Sequence, residues 1–188
     1  MSDRWVEAEF ETIFREHYQR IVRVTRRVLQ RDSEAEEVCA EVFLRLYRSG
    51  PGVASGGLVG GWLYRTATRA SIDALRANRR HGMEEELESD AFAQSESLAE
   101  DPLTLLLRRE RIVEVREVLA KLKVGKAQLL LLRHSGLSYQ EIAEAMQLGL
   151  NSVGRKLARA EAEFSALYVR HQRRSSKTPH LQTAKEGQ

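Results

Sequence analysis

Residues 138–163 read Ser-Tyr-Gln-Glu-Ile-Ala-Glu-Ala-Met-Gln-Leu-Gly-Leu-Asn-Ser-Val-Gly-Arg-Lys-Leu-Ala-Arg-Ala-Glu-Ala-Glu. This pattern predicts two short helices joined by a tight turn at residues 147–149. Ser138 can cap the first helix, since Glu141 lies three residues later and completes a capping box. In the second helix, apolar residues recur at steps of three and four, which is the spacing of a buried helical stripe. That stripe consists of Val153, Leu157, Ala160 and Phe164.

The opposite face of the second helix carries only polar and basic side chains. They are Asn151, Ser152, Arg155, Lys156 and Arg159. Guanidinium, ammonium and amide groups donate hydrogen bonds to phosphates and to base edges in a major groove. The stretch therefore predicts a helix-turn-helix that binds DNA. Taken alone, it is also compatible with an ordinary helical hairpin whose basic face is merely solvated.

The composition of the chain favours a folded protein outside the membrane. Its 188 residues are 42% hydrophobic, which is enough for one or two small cores. No apolar run reaches the length of a membrane span, and residues 4–20 are too charged for a signal peptide. The single cysteine, Cys39, cannot form an internal disulfide and is expected to be a small core residue. We therefore expect a cytoplasmic protein without membrane insertion.

The residue types that commonly perform catalysis or bind metals do not form a recognisable site in the sequence. The five histidines are scattered without the spacing of metal ligands. There is no Ser, His and Asp set and no pair of inward carboxylates. The glycine-rich stretch at residues 50–61 is not followed by the Gly-Lys-Ser/Thr of a phosphate-binding loop. We expect no enzymatic activity, no metal and no cofactor.

Charge is distributed unevenly along the chain. Residues 84–101 contain eight acidic residues and no Lys or Arg, and the rest of the chain has 30 basic residues against 19 acidic ones. Basic regions favour a polyanionic partner because binding releases counterions. The acidic stretch would be repelled by DNA, so it should lie away from DNA or against a basic surface.

The chain divides into two small helical domains joined by a flexible acidic linker, which makes it an all-α protein. The first domain covers residues 5–80, the linker residues 81–101 and the second domain residues 102–172. Residues 173–188 are polar and are expected to form a disordered tail. Because the linker is too charged to fold alone, we expect the two domains to move independently.

Three helices are predicted in the first domain. The first covers residues 6–29, and the second is capped by Ser33 with Glu36 in the capping-box position. The loop at residues 50–61 holds six of the 12 glycines and leads to the third helix at residues 62–80.

In the second domain, Pro102 is suited to the first turn of a helix that extends to about Leu122. A shorter apolar helix at residues 127–134 then precedes the helix-turn-helix.

Three segments carry a resemblance to a known family. Residues 35–47, Ala-Glu-Glu-Val-Cys-Ala-Glu-Val-Phe-Leu-Arg-Leu-Tyr, resemble the second conserved helix of bacterial sigma factors. Residues 62–76, Trp-Leu-Tyr-Arg-Thr-Ala-Thr-Arg-Ala-Ser-Ile-Asp-Ala-Leu-Arg, resemble the promoter-melting helix, and residues 122–160 the domain that binds the −35 promoter element. Only a linker separates the two domains, which is similar to the extracytoplasmic-function (ECF) group of sigma factors in the sigma-70 superfamily.

The resemblance implies a role for each matching position. Core RNA polymerase would be bound through the clamp of its largest subunit by Glu36, Glu37, Glu41 and Arg45. The −10 element would be melted and held by Tyr64, Arg65, Arg69, Arg76 and Arg79, with the loop at 50–61 receiving an unpaired base. The −35 element would be read by Asn151, Ser152, Arg155, Lys156 and Arg159. The linker would thread the basic channel of the polymerase, and an anti-sigma factor would be a further partner.

Some positions depart from the family pattern. Ala40 stands where Gln is usual, and Arg69 where Asn is usual. Gln147 replaces a turn glycine, and Gly154 replaces a common Lys in the recognition helix.

Two other classes of function stay open from the sequence. One is a stand-alone helix-turn-helix regulator that uses residues 5–80 to dimerise, and the other is a protein that has lost DNA binding and only titrates a partner. Transcription with core polymerase separates the first of these from a sigma factor.

Overall fold

The computed structural model describes residues 7–29, 31–49, 59–80 and 101–175. Within these ranges the chain forms seven helices and no strand, which confirms the all-α prediction. The helices are α1 (Glu7–Val28), α2 (Asp32–Ser49), α3 (Val59–Arg80), α4 (Pro102–Lys121), α5 (Val124–His134), α6 (Tyr139–Met146) and α7 (Leu150–Ser175).

Helices α1, α2 and α3 pack around an apolar cluster in the first domain. Its fully buried members include Ile21, Leu46 and Leu63. Aromatic rings extend the cluster, since the Phe14 ring lies 4.9 Å from that of Phe43 in an edge-on arrangement.

Cys39 belongs to the same cluster, and burial raises the pKa of its thiol to about 12. The predicted core role of this cysteine is therefore confirmed.

Helices α5, α6 and α7 enclose a second cluster, which forms the helix-turn-helix. Leu132, Ile142 and Val153 are fully buried there. The capping box is present: the Glu141 N–H donates to Ser138 Oγ at 3.2 Å, and the Ser138 N–H donates to the Glu141 carboxylate at 2.7 Å. In the turn, Gln147 has a φ of 54°, the left-handed region that a glycine occupies at less cost.

Several predicted helix boundaries were wrong by a few residues. Ser33 is not a cap, because α2 begins at Asp32 and the Ala35 N–H already donates to the Arg31 carbonyl. Helix α3 begins at Val59, three residues before the predicted start, and α5 begins at Val124. Val59 packs on the first cluster, so tertiary contact outweighs the low helix propensity of the glycines that follow it.

Two of these glycines permit close packing at the start of α3. A Cβ at Gly60 would lie 3.0 Å from the His17 ring, and a Cβ at Gly61 would lie 3.2 Å from the Ala145 Cα. Gly61 therefore lets α3 of the first domain approach the backbone of α6 in the second.

The expectation that the two domains move independently is wrong for this structure, because a third cluster is shared between them. Val28 and Ile72 of the first domain are fully buried against Leu122 and Leu131 of the second. The shared cluster joins the ends of α1 and α4 to the middle of α3 and α5.

Other predictions fall on residues outside the described ranges. These are most of the glycine-rich loop, at residues 50–58, and the linker at residues 81–100. Of the expected tail, residues 173–175 continue α7, while residues 176–188 lie outside the described part of the chain.

Replacing Ser138 with Ala should lower the free energy of unfolding by about 1 kcal/mol, because the Glu141 N–H in the first turn of α6 loses its acceptor. The Ser138 hydroxyl and the Ser138 N–H also each donate to the Glu141 carboxylate at 2.7 Å, and these two hydrogen bonds lower the pKa of Glu141. Their contribution is therefore present above the ordinary glutamate pKa and is lost as the pH falls through the lowered value. Denaturant unfolding at neutral and acid pH measures both effects. Ser165→Ala, on the exposed face of α7, is the control and should not destabilise. A Ser138→Ala cost that does not shrink in acid would contradict this account.

Candidate nucleic-acid and polymerase interfaces

The outer face of α7 is a row of exposed polar groups. Asn151, Arg155, Lys156 and Arg159 are exposed, while Val153 and Leu157 on the opposite face are buried. Within the described ranges none of the three cations makes an ion pair. Their charge is therefore available to an external anion such as a phosphate.

The start of α7 is held by contacts within the helix-turn-helix. The Ser152 hydroxyl donates to the Gly149 carbonyl at 2.7 Å, so this predicted DNA contact already stabilises the first turn. A Cβ at Gly154 would touch the Tyr139 ring at 3.4 Å. That ring also lies 5.4 Å from the Arg133 guanidinium in a cation–π contact. Glycine at position 154 thus lets the aromatic ring of α6 lie against α7.

A groove of about 650 Å³ runs between α2 and α3. Its lining brings together Arg45, Arg65 and Arg69, with Glu41 and Asp73 beside them. Arg69 is exposed, and its Nε lies 3.9 Å from the Asp73 carboxylate, which is a weak surface pair. Three guanidinium groups along one groove suit the backbone of a nucleic-acid strand.

Two other residues of the predicted −10 set lie in the domain interface instead. Tyr64 is half-buried between the first and second clusters, and burial is the main cause that raises the pKa of its hydroxyl. Arg76 donates from Nε to the Ala120 carbonyl at 3.1 Å and from Nη2 to the Leu122 carbonyl. Arg79, in contrast, is exposed. The structure therefore splits the predicted set between an open groove and a closed interface.

The outer face of α2 carries the predicted polymerase-binding residues, and all of them are exposed: Glu36, Glu37, Glu41 and Arg45. Glu36 is engaged within the chain, since Arg26 Nη2 donates to it at 2.9 Å. Glu41 and Arg45 pair at 3.3 Å one turn apart. Glu37 is exposed and forms no ion pair with another residue of the described ranges.

Two apolar residues that were not predicted from the sequence lie on this same face of α2. Leu44 is 46% exposed and Tyr47 is 54% exposed, and the Tyr47 ring meets the Phe10 ring edge-on at 5.2 Å. Helical spacing places Leu44 beside Glu37 and Glu41. The sequence could have predicted their exposure, because both residues lie outside the apolar stripe of α2 that faces the core. Exposed leucine and tyrosine rimmed by charge are typical of a protein-binding surface.

Two kinds of site are not seen in the described part of the chain. None of its helices has the length and apolar content that a bilayer span requires. No group of three or more His, Cys, Asp or Glu side chains in those ranges is placed to hold a metal ion.

Comparison with known proteins adds to this geometry. The family model described as sigma-70 region 2 matches residues 13–81, and that described as sigma-70, region 4 matches residues 112–164. The first match covers most of α1 and all of α2 and α3, and the second covers the second half of α4, all of α5 and α6, and the first part of α7.

Three characterised relatives share 26% identity with the chain. The ECF RNA polymerase sigma factor SigE of Mycolicibacterium smegmatis aligns over 90% of this chain and 65% of its own length, so the chain spans just under two thirds of that relative. The RNA polymerase sigma factor YlaC of Bacillus subtilis aligns over 82% and 88%. The RNA polymerase sigma-H factor of Pseudomonas aeruginosa aligns over 80% and 81%.

Replacing Arg155 and Arg159 together with Ala should weaken binding to duplex DNA. Each phosphate contact that is lost lowers the slope of log affinity against log salt by about 0.9, and each base contact that is lost costs roughly 1–3 kcal/mol on a specific site. Fluorescence anisotropy with a labelled duplex over a salt series measures both. The control removes two exposed arginines of the first domain, Arg15→Ala with Arg48→Ala. Equal salt slopes for the two double variants would rule out α7 as the DNA-binding face.

Proposed function

Because the chain belongs to the sigma-70 family of RNA polymerase sigma factors, we propose that it binds core RNA polymerase and directs transcription initiation at promoters with matching −10 and −35 elements. Both family models lie in the order predicted from the residues, which confirms the resemblance. The protein would act in the cytoplasm by binding alone, with the catalytic work done by the polymerase. The single observation that carries the proposal is the row of exposed cations, Arg155, Lys156 and Arg159, on the second helix of a helix-turn-helix.

The −35 element would be read by α7. Its exposed donors project from one face of a helix whose other face is anchored in the second cluster, so the helix can enter a major groove without unfolding. Arg155 and Arg159 are one turn apart and could make bidentate contacts with guanine edges. Asn151, at the start of the helix, has the amide that pairs with adenine.

The −10 element would be held in the groove between α2 and α3. A single strand needs a backbone track of cations, which Arg65 and Arg69 provide along α3. Arg79 extends the basic surface toward the end of α3. Tyr64 and Arg76 complete the set once they leave the domain interface. The loop before α3, outside the described residues, would receive the unpaired base.

The outer face of α2 would bind the clamp of the largest polymerase subunit. A stable protein interface needs a desolvated centre surrounded by polar groups. Leu44 and Tyr47 would form that centre, with Glu37, Glu41 and Arg45 around it. Glu36 would act indirectly, since its carboxylate holds Arg26.

The acidic linker at residues 81–101 would thread the basic channel of the polymerase, where nucleic acid otherwise runs. Its carboxylates would be attracted to that surface at low salt and screened at high salt. An anti-sigma factor remains a predicted partner. The stand-alone regulator is the less supported alternative, because the first domain matches a polymerase-binding family region.

Run-off transcription with purified core polymerase on fragmented genomic DNA tests the proposal. A sigma factor should produce discrete transcripts that neither core polymerase nor this chain produces alone. A protein that binds DNA but yields no initiation with any fragment would be the stand-alone regulator instead.

Reversing two charges on α2, Glu37→Lys with Glu41→Lys, should reduce binding to core polymerase by at least tenfold, because two carboxylates beside the apolar centre become repulsive. The measurement is core binding in the absence of DNA. Glu36 is left intact because its loss would release Arg26 inside the fold. The control, Glu9→Lys with Glu110→Lys, makes the same change in net charge at two other exposed positions. Equal binding by both variants would indicate that the α2 face is only solvent-exposed and does not bind core polymerase.

A further inference from the structure

Three exposed arginines lie side by side on one face of α1, because they are spaced three and four residues apart. They are Arg20, Arg23 and Arg27. Within the described ranges none of the three makes an ion pair with a carboxylate. Other arginines of the same helix are neutralised, since Arg15 pairs with Glu11 and Arg26 pairs with Asp32. The three arginines therefore concentrate positive charge that the fold itself does not balance.

These arginines line a pocket of about 220 Å³. The rest of its lining comes from Val24 of α1, Tyr64 of α3, the turn at residues 135–137 and Glu141 of α6. A cavity of about 150 Å³ can hold a molecule the size of benzene. The pocket beside α1 therefore has room for a phosphate or a pyrophosphate group.

The arginines retain hydrogen-bond donors for a ligand. Arg20 donates to the Tyr64 hydroxyl, and Arg27 donates from Nη1 to the His134 carbonyl. A guanidinium has five N–H donors, so each of these contacts fixes the side chain and leaves other donors available. Burial is the main cause that raises the pKa of Tyr64, so its hydroxyl keeps its proton at neutral pH and can also donate.

Among the described residues that line this pocket, Glu141 is the one acid. Its carboxylate is held at the start of α6, since the Ser138 N–H and the Ser138 hydroxyl both donate to it at 2.7 Å. Three arginines against one glutamate give the lining a net charge of +2. An anion with two or more negative charges on adjacent oxygens complements that charge.

We propose that this pocket binds the phosphate groups of a small, multiply charged phosphate compound of the pyrophosphate or nucleoside diphosphate class. Guanidinium groups bind phosphate oxygens through paired N–H donors, and these bonds are strong because both partners are charged. Arg20, Arg23 and Arg27 would hold the anion from the side of α1. The Tyr64 hydroxyl would donate from α3.

The pocket is separate from both promoter contacts proposed above. In the described part of the chain it shares no lining residue with the groove between α2 and α3, and it includes none of the basic residues of α7. Each phosphate of a nucleic-acid backbone carries one negative charge, whereas a pyrophosphate group brings at least two to the same place. The net charge of the lining therefore favours the free compound over a nucleic-acid strand.

Isothermal titration calorimetry of the full chain with inorganic pyrophosphate tests the proposal. The wild type should bind a single pyrophosphate, and Arg23→Ala should weaken that binding about tenfold, because charge-assisted hydrogen bonds are lost. Arg15→Ala is the matched control, since it removes the same charge from the same helix outside the pocket. Its affinity should stay within about twofold of the wild type, because exposed charges at a distance are screened. No binding by the wild type, or equal weakening in the two variants, would overturn the proposal.

A second variant should change the affinity in the opposite direction. Glu141→Gln removes the negative charge from the lining, and glutamine also occurs at this position of a capping box. Pyrophosphate should bind about threefold more tightly to this variant, which is the usual strength of an interaction between exposed charges. Glu144→Gln, one turn further along α6, makes the same change outside the lining and should have a smaller effect. If Arg23→Ala loses helical content by circular dichroism, Glu141→Gln decides, and unchanged affinity in that variant would overturn the proposal.

Binding of short DNA distinguishes a free phosphate compound from a nucleic-acid backbone, which has the same phosphate chemistry. Arg23→Ala should bind a labelled duplex and a labelled single strand as tightly as Arg15→Ala does. Weaker binding of either DNA by Arg23→Ala would assign the pocket to a nucleic-acid backbone and overturn the proposal of a free ligand. None of these measurements contains polymerase, so their outcome is independent of the proposed sigma-factor function.

Discussion

The carbonyl groups at three helix ends are capped by arginines of the other domain, and these caps determine how the two halves of the molecule meet. Arg27 donates to the His134 carbonyl, Arg76 to the Ala120 and Leu122 carbonyls, and Arg116 to the Leu29 carbonyl. An apolar contact such as that of Ile72 with Leu122 excludes water but tolerates sliding, because dispersion and hydration forces have little direction. A guanidinium bound to a helix terminus has a fixed direction and distance. Arg116 is buried, so loss of its bond to Leu29 would leave an acceptor without water, at a cost of about 1–3 kcal/mol. The caps therefore fix the register of a contact whose area comes from the apolar cluster.

The sequence predicted those parts of the fold that depend on local pattern. The stripe of α7 and the capping box of Ser138 follow from spacing alone, and both are present. The start of α3 was placed too late because glycine has low intrinsic helix propensity. Gly60 and Gly61 lie within the helix because their missing side chains leave room for His17 of α1 and Ala145 of α6, and both of these neighbours are distant along the chain. The contact between the domains was not predicted for the same reason, because it depends on residues that are distant along the chain.

The candidate sites were likewise predicted only where a local pattern identifies them. Exposed charge at regular spacing identified the α7 face, because a buried stripe on one side leaves the other side to solvent. Arginine is harder to assign, since a guanidinium can bind either a phosphate or a helix carbonyl. Arg76 and Arg69 lie two turns apart on one helix, yet one caps α4 and the other borders an open groove. The exposure of Leu44 and Tyr47 was not predicted, because the residues that face inward already account for the apolar periodicity of α2.

The exposed cations Arg155, Lys156 and Arg159 of α7 have a kinetic consequence. A cluster of positive charge on an exposed helix attracts the nearest stretch of any duplex, and this attraction is independent of sequence. The protein could therefore associate with chromosomal DNA and diffuse along it without opening the strands. Such one-dimensional diffusion shortens the search for a target compared with repeated three-dimensional encounters, and its range contracts as ionic strength rises. The ionic composition of the cell would thus help to determine how rapidly the helix finds its target.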